Sequence, residues 1–432
     1  MAGPAAIGRL VGLALVLTGK VLGQGALLAC GIVVARVAGP TEFALYSTLL
    51  MLVLLADACL GSPIDYAVIR FAALHGEDRQ RTDRLQAAAF RMKILIGTGL
   101  AIGTALFGAP IARTLLHNDA GRGLLWLAVG LTAALLLNRS VAAYFQSRSQ
   151  FRLYSLFDAA QGVLRAAVVA ALALWGAKTA GAYLGGLLVA SVVLLLAAFW
   201  VTSQTYLTAG WPSRRDTLET FHFLGMTTGI IILGTITGRT DLLFLAHAIP
   251  PAEVAHYAGA SQLASMATLL AGYASIVAQP ILIPAVRRGQ APRLLAESSG
   301  LALIGAGGFL LVVWWFAEVI MKGVFGPAFA GSSALLRILT IGTSIDLFCM
   351  PVAMTFLLQF RPRMALVGEF VITAAYLALA WPMADAGPVA MAWLVTGVRA
   401  AKGALYVGAT LYLINQRSFE PRLGTAADQP NA

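Results

Sequence analysis

Charge is what this chain has least of. Only 11% of its 432 residues are Asp, Glu, Lys or Arg, while 59% are apolar, and the mean hydropathy is +0.81. That is too little polar surface to cover a water-soluble globule. Cysteine is nearly absent. Cys30, Cys59 and Cys349 are odd in number and have no metal-ligand spacing. They exclude a disulfide framework and read as small packing residues. No G-x-x-x-x-G-K-[ST] loop occurs, so no ATP hydrolysis is expected. No H-E-x-x-H occurs either, and the five histidines are scattered. Nothing outside the apolar runs is long enough for a catalytic domain. The expectation is a non-enzyme with no cofactor and no metal. The longest loop between spans, about residues 70–89, is polar and reads as a short cytoplasmic amphipathic connector.

What is present is a series of apolar runs long enough to cross a membrane. A hydrocarbon core of roughly 30 Å needs about 20 residues of helix. Twelve spans are predicted: 10–35, 42–69, 90–109, 123–146, 153–175, 181–203, 221–246, 252–284, 298–317, 333–358, 365–382 and 389–414. All should be α-helical, because backbone groups in lipid must bond within their own segment. The first is too long for a signal-peptide core, and Lys20 interrupts it. With the N-terminus placed in the cytoplasm, the cytoplasmic segments hold 18 of the 30 Lys and Arg. The opposite side holds Arg36, Arg113, Arg122, Lys178 and Lys322. That asymmetry predicts both termini inside. The net charge of +11 is then a membrane signature and calls for no nucleic-acid partner.

The chain also repeats itself at an offset of 211 residues. P-T-E-F-A-L-Y at 40–46 matches P-A-E-V-A-H-Y at 251–257, and Arg152 and Asp158 correspond to Arg363 and Glu369. At a slightly larger offset, P-I-D-Y-A-V-I-R at 63–70 matches P-I-L-I-P-A-V-R at 280–287. Six spans precede the repeat point and six follow. An even number keeps both halves in the same orientation, so the repeats are parallel. The predicted fold is an all-α polytopic membrane protein with two six-helix lobes around a central cationic cavity. Residues 1–210 form the first lobe, 211–420 the second, and 421–432 a polar cytoplasmic tail.

Arg91 and Lys93, at the start of the span 90–109, are counted with the cytoplasmic segments, and the remaining seven basic residues fall inside spans: Lys20, Arg139, Arg165, Arg239, Arg337, Arg399 and Lys402. Arg337 lies near enough to a span end to snorkel. The other six are expected to line the cavity, since a charge in lipid costs about 2.5–3.5 kcal/mol on insertion scales. Asp158, Gln161 and Arg165 share one helical face, as do Thr396, Arg399 and Lys402, Lys20 and Gln24, and Arg139 and Gln146. Span acids are fewer: Asp57, Asp158, Asp241, Asp346 and Glu369. Asp57 is placed to pair with Lys20, and Asp241 with a cation on another helix. Asp57, Asp241 and Asp346 are the candidates for ion coupling. The alternative for all these charges is structural pairing between helices. A cationic cavity suits an anionic substrate, and Arg forks bind phosphate well.

A family resemblance rests on the same segments. A-R-V-A-G-P-T-E-F-A-L-Y at 35–46 resembles the A-R-x-x-G-P-x-x-F-G-x-Y signature of bacterial polysaccharide-exporter flippases, with Ala44 in place of the usual glycine. G-R-T-D-L-L-F-L at 238–245 is similar to that family's seventh-span segment. F-G-P-A-F-A-G-S-S-A-L-L-R-I-L at 325–339 is similar to its entry into the tenth span. The resemblance covers the whole chain and includes the superfamily of multidrug extruders and lipid II flippases. It implies a carrier of an undecaprenyl-pyrophosphate-linked oligosaccharide, moved from the cytoplasmic to the periplasmic leaflet of the bacterial inner membrane. The product would be an O-antigen, capsule or exopolysaccharide. Implied partners are that lipid-linked oligosaccharide, membrane lipids and a polysaccharide polymerase complex. An ion-coupled multidrug antiporter is the nearest alternative. A membrane-embedded polymerase or ligase is the alternative of another class.

Overall fold

The structure, a computed structural model, describes residues 4–75, 78–117, 121–267, 291–359 and 362–415. The helices are α1 (Pro4–Ala38), α2 (Pro40–Ala56), α3 (Ser62–His75), α4 (Arg79–Leu116), α5 (Arg122–Ser147), α6 (Phe151–Leu174) and α7 (Ala180–Thr208). There follow α8 (Arg214–Arg239), α9 (Asp241–Ala248), α10 (251–267), α11 (Ala291–Phe325), α12 (Ser333–Gln359), α13 (Pro362–Asp385) and α14 (Pro388–Asn415). No strand occurs among the described residues. Nine of the described helical stretches are long and apolar enough to cross a membrane, or ten if the bent pair α8–α9 counts as one. Helix α14 has 28 residues, but it carries Arg399 and Lys402 and falls outside that set. Apart from Trp175 and the break at Thr240, each of the twelve expected spans lies on helix wherever its residues are described. The stretch 268–284 and the tail 421–432 lie outside them.

Three expectations need correction. The span 42–69 is not one regular helix: Asp57–Gly61 forms a π-helical turn between α2 and α3. The span 221–246 breaks at Thr240, where α8 and α9 meet at 43°. The connector 70–89 is mostly helix, because α4 begins at Arg79. The Asp78 side chain accepts from the Arg81 amide at 3.0 Å and caps that start. A charged run at the overhanging end of a helix looks like a loop by composition alone. At the far side, Gly39 takes φ +86° and lets the chain reverse directly into Pro40, the first residue of α2.

Helices 1–7 pack chiefly on one another, and so do helices 8–14. The tightest approach in the first half joins α1 and α6, where a Cβ on Gly162 would stand 2.7 Å from the Gly23 Cα. Small residues let membrane helices approach this closely. The repeat-equivalent pair is α8 and α13. There Thr373 replaces Gly162, and its hydroxyl donates to the Leu233 carbonyl at 3.4 Å.

The two ends of the bundle differ. One, the terminal end, carries the start of α1, the end of α3 and the turns at 147–151 and 208–214. The opposite end carries the turns at 39, 248–251 and 325–327. The largest apolar core lies toward the opposite end and spans both halves. Phe43 of α2 meets Phe325 of α11 and Phe329, with ring centroids 5.7 Å away in each case. The three smaller apolar clusters each stay inside one half. Apolar burial therefore joins the halves toward the opposite end, and at the terminal end an ion pair between Arg81 of α4 and Asp216 of α8 links them.

Candidate functional site

Between the halves lies a cavity of about 1480 Å³. Lys20, Arg139, Arg165, Arg239, Arg399 and Lys402 all line it, as do Gln24, Gln146 and Gln161. The helical stripes read from the sequence thus converge on one space. Asp57, Asp65, Asp158 and Asp346 line it too, and Asp241 does not.

Each cation is positioned by its helix and by what it meets. The close contact of α1 with α6 sets the Lys20 ammonium 3.4 Å from Asp158. The π-helical turn turns Asp57 toward α5, where the Arg139 guanidinium lies 3.0 Å away. Arg139 also donates to the Ser62 hydroxyl just past that turn. Such turns recur at functional sites. In the second half, Arg399 of α14 lies 3.4 Å from Asp346 and donates to Thr343 at 2.5 Å. One turn along, Lys402 lies 2.7 Å from Glu369 and donates to Thr237 of α8 at 2.6 Å. Asp57 therefore pairs with Arg139 and not with Lys20. The acid on the neighbouring helix of the tight pair wins over the one across the cavity.

Two guanidiniums remain without a carboxylate within 4.0 Å among the described residues: Arg165 and Arg239. Arg165 on α6 has one contact, a long 3.4 Å bond to the Ser191 hydroxyl. Its Nε is buried with no partner, and so is the hydroxyl of Tyr46, which also lines the cavity. Arg239 is the last residue of α8 and Asp241 the first of α9. Each charge suits the helix end it occupies, which is what the break at Thr240 achieves for both. Asp241 is 4% exposed. It accepts from the Tyr257 hydroxyl at 2.5 Å, so its partner is a phenol and not the cation expected.

The sequence reading missed one pair. Lys93, counted with the cytoplasmic charges at the start of its span, has a fully buried side chain 2.5 Å from Asp65 on the cavity wall. Asp65 sits in the repeated segment 63–70, which was the available signal. Arg337 donates to the Trp314 carbonyl at 3.1 Å and lies over that ring.

The opposite end is closed by polar contacts as well as by the core. Arg36, in the last turn of α1, donates from Nε to the Val324 carbonyl at 2.7 Å, and a second bond reaches Gly323. These carbonyls end α11, where a cation is favoured. His117 Nε2 donates to the Ala246 carbonyl and His247 Nδ1 to the Thr114 carbonyl, both at 3.0 Å. The two histidines thus exchange bonds between the ends of α4 and α9, one in each half.

Known structures share this architecture. A multidrug resistance MATE family transporter of the MOP superfamily, in an inward-facing conformation, superposes with a TM-score of 0.68 at 14% identity, covering 92% of this chain and 94% of that one. The lipid II flippase MurJ, inward closed, gives 0.74 at 10% identity, covering 95% and 89%. A MOP superfamily transporter from Pyrococcus furiosus, described as having a binding pocket of reverse polarity, gives 0.57 at 12% identity, covering 94% and 95%. At these identities the likeness is one of fold. No curated protein sequence matches the chain. The chain is a polytopic membrane protein of the fold shared by these transporters, and its match to the polysaccharide biosynthesis protein family over residues 10–286 makes it a member of that family.

Proposed function

We propose that this protein is a flippase that carries an undecaprenyl-pyrophosphate-linked oligosaccharide from the cytoplasmic to the periplasmic leaflet of the inner membrane. Both termini would lie in the cytoplasm, and the halves 1–210 and 211–420 would rock about the cavity. One observation carries the reading: among the described residues, the cavity keeps positive charge after its ion pairs are counted. Six cations line it. Lys20, Arg139, Arg399 and Lys402 are matched by Asp158, Asp57, Asp346 and Glu369, and Asp65 is matched by Lys93. Arg165 and Arg239 are left over. A guanidinium with free N–H groups in a low-dielectric space suits the oxygens of a pyrophosphate. The paired cations and the glutamines would meet hydroxyls of the sugars. The family membership supports a lipid-linked glycan as the cargo.

The excess of positive charge counts against a cationic drug as cargo, and the chain is read as a transporter and not an enzyme. Asp57 and Asp346 are tied to cavity cations, so they serve poorly as ion-coupling groups. Asp241, bonded to Tyr257 beside the helix break, is the acid proposed to take up a coupling ion.

The test is a leaflet assay in cells lacking the protein. Lipid-linked oligosaccharide trapped on the cytoplasmic leaflet supports the flippase. Accumulation on the periplasmic leaflet would instead indicate a polymerase or ligase. Normal glycan export with lost drug resistance would sink the reading in favour of the antiporter.

A further inference from the structure

A second cavity, of about 630 Å³, lies apart from the first, where α4 begins and α5 and α7 end at the terminal end of the bundle. Nothing in the transport reading uses it. Its wall is polar and fixed in place. Arg148 is held by Asp83 at 2.5 Å and Thr205 at 3.3 Å, and it lies 4.1 Å over the Tyr144 ring. The rim is held too: Arg91 donates to the Ala209 carbonyl at 2.7 Å and lies over the Trp211 ring. Arg84 lines the same cavity and has no ion pair or hydrogen bond among the described residues. Asp83 offsets Arg148, so Arg84 leaves the pocket one positive charge in excess.

The pocket also meets lipid. Val201 is part of its wall and is 63% exposed, and Trp200, Leu207 and Trp211 beside it are 90%, 71% and 70% exposed. Apolar side chains so open on a spanning helix face acyl chains, and tryptophan at a helix end marks headgroup depth. A polar recess with one spare guanidinium, bordered by these exposed apolar side chains, has the charge and the setting for a single phosphodiester.

We propose that this pocket binds the phosphate of a membrane glycerophospholipid headgroup, with Arg84 as its charged contact and the Gln204 and Thr208 side chains beside it. The site rests on its own geometry and is independent of the cargo assigned to the central cavity.

The full chain should be purified and reconstituted in nanodiscs of phosphatidylglycerol or of an uncharged galactolipid, then released for native mass spectrometry. The expected result is retained phosphatidylglycerol, no retained galactolipid, and a loss of retention of about tenfold in Arg84→Gln. Gln204→Leu should reduce retention less, and Arg84→Lys should keep part of it. Inorganic phosphate at millimolar concentration is the second arm. If it raises Tm in the wild type but not in Arg84→Gln, while no lipid is retained, the phosphate chemistry stands and its source is soluble. Equal retention in wild type and Arg84→Gln, with no phosphate effect on Tm in either, would overturn the proposal.

Discussion

The two halves of this protein carry their charge at different members of one set of equivalent positions. At the 211-residue offset, Cys30, Tyr46 and Arg165 of the first half correspond to Asp241, Tyr257 and Tyr376 of the second. In the first half the ionised group is a cation. Arg165 lies within electrostatic reach of Cys30 and Tyr46, and the Tyr46 hydroxyl has no partner. In the second half the ionised group is an acid, and both tyrosines are engaged. Tyr257 donates to Asp241 at 2.5 Å, and Tyr376 shares a 3.2 Å bond with Thr240. The first half leaves donors open toward the cavity, and the second closes its acid away from it. At these three positions the duplicated scaffold has diverged: the first half places a guanidinium on the cavity wall, and the second places a carboxylate beside a helix break and off that wall.

Breaking that difference at Arg165 should have the largest effect. Arg165→Ala removes the open guanidinium. A charge-assisted hydrogen bond is worth about 1.5–3 kcal/mol, so translocation should fall by roughly 10- to 150-fold with protein level in the membrane near normal. Arg165→Lys should restore only part, since a point charge does not replace a fork. Cys30→Asp places the second half's acid in the first half and should neutralise Arg165, giving a similar loss without touching it. Leaflet-resolved labelling of the lipid-linked glycan measures all three. Normal transport in Arg165→Ala would mean that the open guanidinium is not a cargo contact.

The same substitution at equivalent tyrosines should give unequal results. Tyr257→Phe strips the buried Asp241 of its donor, a loss of about 1–3 kcal/mol that should lower Tm by several degrees. Tyr46→Phe removes a hydroxyl that has no partner and should leave Tm nearly unchanged. Equal shifts at both positions would show that the tyrosines do the same work and that the asymmetry is not energetic.

The comparison also marks how far a sequence reads. The spans, the repeat and the convergence of six cations on one cavity follow from length, spacing and the cost of charge in lipid. Those are properties of one helix at a time, and the resemblance agreed with them. The pairings were not legible. Asp57 faces Arg139 because a π-helical turn rotates it, and that turn has no composition of its own. Lys93 lies three residues into its span and counts with the cytoplasmic charges by position alone, and only the packing of α3 on α4 buries it beside Asp65. Asp158 and Glu369 were matched by the repeat, yet they draw their cations from different helices. Lys20 comes from α1 and Lys402 from α14, and no single-helix pattern encodes that choice.

Helix contact offers a smaller test of the same asymmetry. Gly162→Ala would drive a methyl group into the Gly23 Cα. Overpacking of this kind costs about 1–3 kcal/mol. The equivalent contact already carries Thr373, and a Cβ on the facing Gly234 meets nothing within 4 Å. Gly234→Ala should therefore be tolerated where Gly162→Ala is not. Thermal unfolding in detergent distinguishes them, and equal stability would show that the α1–α6 contact has slack to give.

The smallest effect is expected where the halves meet at the opposite end. The bonds His117 to Ala246 and His247 to Thr114 form a reciprocal pair across the interface, and Arg36 adds two more onto the end of α11. Interhelical bonds in membranes average only about 0.6 kcal/mol each. Loss of one should shift the balance between closed and open arrangements by roughly threefold. The Phe43–Phe325–Phe329 contact should hold the halves together regardless. Spin labels on the turns near residues 37 and 248 would report this. His247→Ala should broaden the distance distribution slightly, and His117→Ala with His247→Ala should broaden it further, because each histidine leaves a different carbonyl unpaired. Arg36→Ala with both histidine changes should give the widest distribution, and none of the three should abolish the closed population. An unchanged distribution in the triple variant would place closure in the aromatic core alone. A fully open one would make the polar contacts, and not the shared apolar core, the element that seals this end.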